Sequence, residues 1–118
     1  MKENLHCTLS VVIPFLNEGI EVENTINSIL EFKSEYIREI IIINAASDDG
    51  YDYDSLSARY PIKYVKNPKR LGVAASRNLG VDIASGKYIL LLDAHMRFYD
   101  SLWAKTIVET LSDSSLVV

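Results

Sequence analysis

Cysteine is almost missing from this chain; Cys7 is the sole one. An intrachain disulfide framework is therefore excluded, and a reducing compartment suits the protein. Long apolar runs are missing too. None approaches the ~20 residues that cross a bilayer as a helix. The first ten residues hold one early lysine, Lys2, and no long apolar core, so no signal peptide is expected. A surplus of positive charge is also lacking. The formal net charge is −4, which argues against a surface built for nucleic acid or other polyanions. An anionic ligand would have to be met locally, by a metal or a few placed basic groups. No internal repeat, low-complexity tract or linker-like shift in composition divides the chain.

What is present is the composition of a globular core. The chain has 118 residues, 48% of them apolar, which is one domain, residues 1–118, rather than two. Leu9-Ser10-Val11-Val12-Ile13 is a β-branched run stopped by Pro14, and it reads as a first buried strand. Val22, Ile26, Ile29 and Leu30 recur at helical spacing, with Asn17 or Glu21 available to start the helix, which fades near 32–34. Residues 39–44 form a second apolar strand, left by the loop 45–50. A short helix is expected around 53–59 and a shorter, alternating edge strand over 62–66. Ala75, Leu79 and Ile83, spaced by four, predict a helix over 72–84, closed by Ser85-Gly86. Trp103, Ile107 and Leu111 share one face of a last helix, which makes Trp103 a core residue rather than an exposed stacking platform. Asp113-Ser114-Ser115 reads as a turn, and Leu116-Val117-Val118 as the start of another strand.

One stretch carries chemistry. Lys87-Tyr88-Ile89-Leu90-Leu91-Leu92 is an apolar run without alternation, so it reads as a strand buried on both faces at the centre of a parallel sheet. It ends in Asp93-Ala94-His95. If the extended conformation persists, Asp93 and His95 point the same way and can grip one divalent cation. The plainer alternative is a turn-capping Asp93 and a solvated His95. The order of elements predicts helices wrapped around a mostly parallel sheet in three α/β/α layers, with right-handed crossovers. Polar residues then gather on one rim, at 14–18, 44–49 and 93–95, where open α/β sheets place ligands.

These segments carry a resemblance. Ser10-Val-Val-Ile-Pro-Phe-Leu-Asn-Glu18, Glu39-Ile-Ile-Ile-Ile-Asn-Ala-Ala-Ser-Asp-Asp-Gly50, Arg70-Leu-Gly-Val-Ala-Ala-Ser-Arg-Asn-Leu-Gly80 and Gly86-Lys-Tyr-Ile-Leu-Leu-Leu-Asp-Ala-His95 stand in the right order. Together they resemble the nucleotide-binding half of a family 2 glycosyltransferase of the inverting type, with the Rossmann-like GT-A fold. The resemblance covers nearly the whole chain. It implies that Pro14, Asn17 and Glu18 floor the nucleotide-base site. Asn44 to Ser47 stand where the family usually has a paired-aspartate, glycine, serine loop that holds uracil and ribose. Arg77 would reach the base or the diphosphate. Asp93 and His95 stand at the family's Asp-x-Asp metal motif, in an Asp-x-His form similar to that of polypeptide N-acetylgalactosaminyltransferases.

The resemblance implies a UDP-sugar donor, a glycan or glycoconjugate acceptor and a role in surface polysaccharide or glycoconjugate assembly. The expected location is cytoplasmic, with the full-length protein at the inner face of the membrane. A cation would offset the charge that develops on the departing diphosphate. Imidazole in place of one carboxylate shifts the preference from Mg²⁺ toward Mn²⁺. Two departures from the family pattern matter. Asn44-Ala45 replaces the acidic pair; the Asn44 amide oxygen can still accept from a base imide, and Ala45 cannot. Asp48 and Asp49 compensate or, more simply, solvate a turn. The second departure is that the family's acceptor half, with its general base, has no counterpart before residue 118. The expectation is a donor-binding portion that binds nucleotide and transfers little sugar, with an exposed apolar face open to self-association where the other half would dock.

Two other classes compete. A receiver-type phosphoacceptor domain would use Asp93 as acceptor, but it needs an acidic pair after the first strand and a late lysine, and only Glu18 is on offer. A non-catalytic interaction module could use the same fold. His6 and Cys7 read as surface residues. Lys66, Lys69 and Arg70 form a basic cluster that could meet a phosphate or, more simply, stand on a solvated loop. Arg97 could touch substrate or be exposed.

Overall fold

The structure, a computed structural model of the chain, describes residues 4–32, 34–69 and 72–113. Four strands alternate with four helices: β1 (Leu9–Phe15), α1 (Ile20–Glu31), β2 (Ile37–Asn44), α2 (Leu56–Arg59), β3 (Lys63–Lys66), α3 (Val73–Ile83), β4 (Tyr88–Leu91) and α4 (Trp103–Asp113). All pairings are parallel, in the order β3-β2-β1-β4. The expected turn at 114–115 and strand at 116–118, and the Arg70 of the basic cluster, lie outside the described residues. No helix among the described residues is long and apolar enough to cross a membrane.

The period of two along β1 and β2 divides the core between the two faces. Leu9, Val11, Ile13, Phe15, Ile40 and Ile42 join Val22, Ile26 and Ile29 of α1 and Ala104 and Val108 of α4 on one face. Val12, Ile41 and Ile43 turn to the other face, where Leu79 of α3 packs. Burial on both faces is what makes these strands continuous apolar runs. The three-layer arrangement expected from the sequence is therefore present.

Three details differ from the sequence expectation. Pro14 does not stop β1. The Val12 carbonyl accepts from the Leu92 N–H, toward β4, and the Phe15 carbonyl accepts from the Ala45 N–H, toward β2. Backbone groups alternate sides along a strand, so Pro14 faces the β4 side. There the ladder has already ended, at Val12 opposite Leu91. Its missing N–H therefore costs no bond. Second, α1 starts at Gly19 with no side-chain cap; Asn17 and Glu21 are used elsewhere. Third, among the described residues β4 stands at the edge of the sheet rather than at its centre. β1 and β2 are the central pair, and Leu91 is 42% exposed.

Helix α3 packs through small residues beside Leu79. Ser76 is buried and Ile83 is exposed. A Cβ on Gly80 would lie 2.3 Å from Val12 Cγ1, so the glycine is what lets α3 press onto the sheet. Gly86 plays a similar part before β4, where a Cβ would meet Ser10 Oγ at 2.6 Å and the Thr8 carbonyl at 2.7 Å. Trp103 stacks on Phe98 with centroids 4.0 Å apart and donates through Nε1 to the Phe32 carbonyl. That is the core role expected for it. His6 and Cys7 are exposed, as expected.

Candidate functional site

Parallel pairing brings the carboxyl ends of β1, β2 and β4 to one rim. A polar cleft of about 240 Å³ opens there, lined by Pro14, Arg77, Leu91, Leu92 and Asp93. Thus β1, α3 and the end of β4 each contribute a residue that the sequence singled out. A larger groove of about 510 Å³ lies between β4 and α4, but its lining, Ile89 to Leu91 with Thr106, Ile107, Thr110 and Leu111, holds no ionisable group. The chemistry belongs to the smaller cleft.

The extended conformation does not persist through 93–95. The strand ends at Leu91, and the Met96 N–H turns back toward the Asp93 carbonyl at 3.4 Å. Within this turn Asp93 and His95 are exposed and Ala94 is buried between them. His95 Nδ1 lies 3.8 Å from Glu18 Oε2, so the loop after β1 meets the loop after β4. Among the described residues no three His, Cys, Asp or Glu side chains converge to hold a metal ion unaided. The donor set is thus an open one. A cation here would have to complete its coordination with oxygens from a ligand or from water.

The loops after β1 and β2 are laced together. The Asn17 N–H donates to Ser47 Oγ at 3.0 Å. Asn17 Nδ2 donates to Asp48 Oδ1, and the Asp48 N–H donates back to Asn17 Oδ1. Asn17 sits at φ 55°, in the left-handed region that asparagine tolerates better than most residues. Asn44 is buried at 2% exposure. Its Nδ2 donates to Tyr64 Oη, and its Oδ1 accepts from the Ser47 N–H at 2.8 Å. The oxygen expected to face a base is therefore already engaged in holding Ser47. Asp49 likewise does more than solvate a turn. It accepts from Tyr53 Oη at 2.6 Å, and that same hydroxyl accepts from the Gly19 N–H. Burial, together with the Asp49 carboxylate, pushes the Tyr53 phenol up to about 12.

Several rim residues were not singled out by sequence reasoning. Thr25 of α1 is fully buried and donates to the Ala94 carbonyl at 2.6 Å. Ser28, one turn on, accepts from the Phe98 N–H at 2.7 Å. Both hydroxyls lie beside the apolar stripe of Val22, Ile26 and Ile29, where nothing in the sequence shows the distant backbone groups they meet. Arg97, which the sequence left between substrate contact and plain exposure, is half-buried and donates to Glu21 Oε2 at 2.8 Å and to the Met96 carbonyl. Behind the rim, Glu23 is buried and accepts from Arg59 Nη1 at 2.5 Å, from Tyr51 and from Tyr60. The Arg59 and Tyr51 hydrogen bonds hold its carboxyl at about 2.

Residues 10–118 match the family described as Glycosyl transferase family 2. The chain is 35% identical over 104 residues to polypeptide N-acetylgalactosaminyltransferase 14 of Homo sapiens, covering 78% of this chain and 19% of that protein. It is 26% identical over 106 residues to the uncharacterized glycosyltransferase YibD of Escherichia coli, covering 89% of this chain and 31% of that one. Among solved structures, the mannosyltransferase PcManGT from Pyrobaculum calidifontis, in complex with GDP-Man and Mn²⁺, superposes with a TM-score of 0.71 at 23% identity. That match covers 86% of this chain and 31% of the other, and it shows a shared GT-A fold. The chain spans between about a fifth and a third of the length of these relatives.

Proposed function

The chain belongs to glycosyl transferase family 2, and from that premise we propose that it is the donor-binding portion of a metal-assisted glycosyltransferase. The donor is a nucleotide-sugar, UDP-linked, and the acceptor is a glycan or glycoconjugate. The observation that carries this reading is the polar cleft in which Asp93 and Arg77 meet beside Pro14. A carboxylate suited to a cation and a guanidinium suited to phosphate, on adjacent walls, form a complementary pair for a diphosphate with its metal.

Asp93 and His95 would hold the cation, with the Glu18 carboxylate 3.8 Å from His95 Nδ1 on the same rim. The open donor set fits a metal that shares its coordination with the diphosphate. When bound, the ion acts as a Lewis acid that stabilises the departing nucleoside diphosphate. An oxygen-and-imidazole donor set favours Mn²⁺ over Mg²⁺. Asn17 and Ser47 frame the nucleoside from the laced loops, and Asn44 acts from behind by fixing Ser47. In this reading the chain supplies donor binding and little turnover, with the base that deprotonates the acceptor supplied from outside residues 1–118. The work is cytoplasmic, in polysaccharide or glycoconjugate assembly, with the full-length protein at the inner face of the membrane.

Titration calorimetry on this chain tests the reading. UDP should bind with Mn²⁺, more weakly with Mg²⁺, and not measurably after Asp93→Asn. GDP serves as the control base. Nucleotide binding indifferent to metal, or tighter with Mg²⁺, would count against the assignment. Robust sugar transfer by the chain alone would overturn the division of labour.

A further inference from the structure

Thr25 sits on the buried stripe of α1, an address where valine would fill the same space. Its hydroxyl instead does two things. It donates to the Ala94 carbonyl at 2.6 Å, across 69 positions of sequence. It also accepts from Arg97 Nη1 at 3.3 Å. Arg97 is itself held by Glu21, from the turn of α1 before Thr25, at 2.8 Å. The four groups form a chain, Glu21 to Arg97 to Thr25 to the Ala94 carbonyl. A helical threonine usually spends its hydroxyl on a carbonyl of the preceding turn, so this orientation is a choice made by the fold.

Ala94 is the residue between Asp93 and His95. Holding its carbonyl fixes the plane of the Ala94–His95 peptide, and with it the relative direction of the two flanking side chains. In a turn, unlike a strand, nothing in the backbone ladder does this. From this we infer that Thr25 is a positioning residue for the Asp93–His95 pair, oriented in turn by Arg97. This inference rests on the donor-binding reading above. The pair is exposed and open-sided, so its bite is set by the peptide between its members, and groups behind metal ligands commonly set affinity.

The test is Mn²⁺-dependent UDP binding by calorimetry on this chain, with Thr25→Val, Thr25→Ser and Arg97→Gln. Thr25→Val should raise the Kd about tenfold or more, within the range found when a group behind a metal ligand is removed. Thr25→Ser, which keeps the hydroxyl, should return it to near the wild-type value. Arg97→Gln should fall between, and it decides the matter if the valine variant does not fold. Valine or glutamine variants that bind like wild type would overturn the brace and leave the donor-binding reading standing. A serine variant as weak as the valine variant would overturn it too, because the hydroxyl would not be the operative group. Failure of the wild-type chain to bind metal and nucleotide would sink the donor-binding reading and this inference together.

Discussion

Gly80→Ala should destabilise the protein, against the ordinary preference of helices. In an open helix this substitution gains about 1 kcal/mol, because glycine loses the most backbone freedom on folding. Here the new methyl would stand 2.3 Å from Val12 Cγ1 and 3.5 Å from Ile43 Cγ1. The first distance is more than about 1 Å short of comfortable carbon contact. Val12 cannot retreat, since it lies on a central strand at 0% exposure with Ile41 and Ile43 equally buried beside it. Overpacking of a tight core costs about 1–3 kcal/mol, and so close an approach belongs in the upper half of that range. After the helical gain is subtracted, the net loss is about 1–2 kcal/mol. Equilibrium unfolding in urea measures it directly. Val12→Ala removes the atom that clashes and by itself costs about 2 kcal/mol in transfer and cavity terms. The two losses should not add, because the methyl introduced by Gly80→Ala enters the space left by Val12; the double variant should recover at least about 1 kcal/mol of their sum. A more stable Gly80→Ala protein, or strict additivity, would refute the close approach of α3 to β1. It would also undo the placement of Arg77, which the same helix carries into the cleft.

Two further outcomes follow from side-chain networks on either end of the sheet. The carboxyls of Glu23 and Glu39 both stand at about 2 in the folded protein, below their ordinary value of 4.5. For Glu39, burial opposes the shift, and hydrogen bonds from Lys63, Ser10 and Ser85 outweigh it. A depressed folded pKa contributes stability above the unfolded value and loses it as pH falls through the folded one. Unfolding free energy should therefore decline between about pH 5 and pH 2, by on the order of 1–2 kcal/mol per group once solvent screening is allowed for. Glu23→Gln should be less stable at pH 7 and show a shallower acid slope in urea titrations; an unchanged slope would contradict the pairing with Arg59. Tyr53→Phe should cost about 1–2 kcal/mol by leaving the Gly19 N–H and Asp49 without their shared hydroxyl. Thermal unfolding would read this as a midpoint lowered by several degrees, and an unshifted midpoint would show that the hydroxyl braces nothing.

The sheet was legible because its two central strands are buried on both faces. Val11 to Ile13 and Ile40 to Ile43 carry no polar residue, and such runs have few alternatives in a chain this short. The position of β4 was not legible in the same way. Its run is as apolar as the others, and an apolar run states that a surface wants cover without stating what covers it. The rim was legible in the polar residues at 14–18, 44–49 and 93–95 that end the apolar strands; Arg77 entered only through the family resemblance, and it lines the same cleft as Pro14 and Asp93. The braces were missed because they look ordinary. A threonine and a serine on a helix, or a tyrosine in a loop, announce nothing until the partner 69 or 34 positions away is known. Asn44 was visible as unusual, yet its partners Tyr64 and Ser47 depend on the packing of β3 and on the turn at Ala46.

That turn supplies a last test, and it bears on the departure from the family's loop. Ala46 has φ 65°, a conformation that side chains with a Cβ avoid. It stands where the resembled loop usually carries glycine. The conformation costs an L-residue about 1–2 kcal/mol, against about 0.5–1 kcal/mol of extra chain entropy lost by glycine. Ala46→Gly should therefore stabilise the protein by about 0.5–1 kcal/mol in urea unfolding. The strain is tolerated because the ends of the turn are fixed. The Ala45 N–H extends the ladder to the Phe15 carbonyl, and the Ser47 N–H is held by Asn44 Oδ1. Ala45 is fully buried, so the second acid of the family pair could not stand there in this backbone without burying a charge. The turn is held from both ends whatever stands at position 46, and Ala46→Gly should leave Mn²⁺-dependent UDP binding as it was. A glycine variant less stable than wild type would mean that the left-handed turn, and the route by which Asn44 holds Ser47, are misplaced.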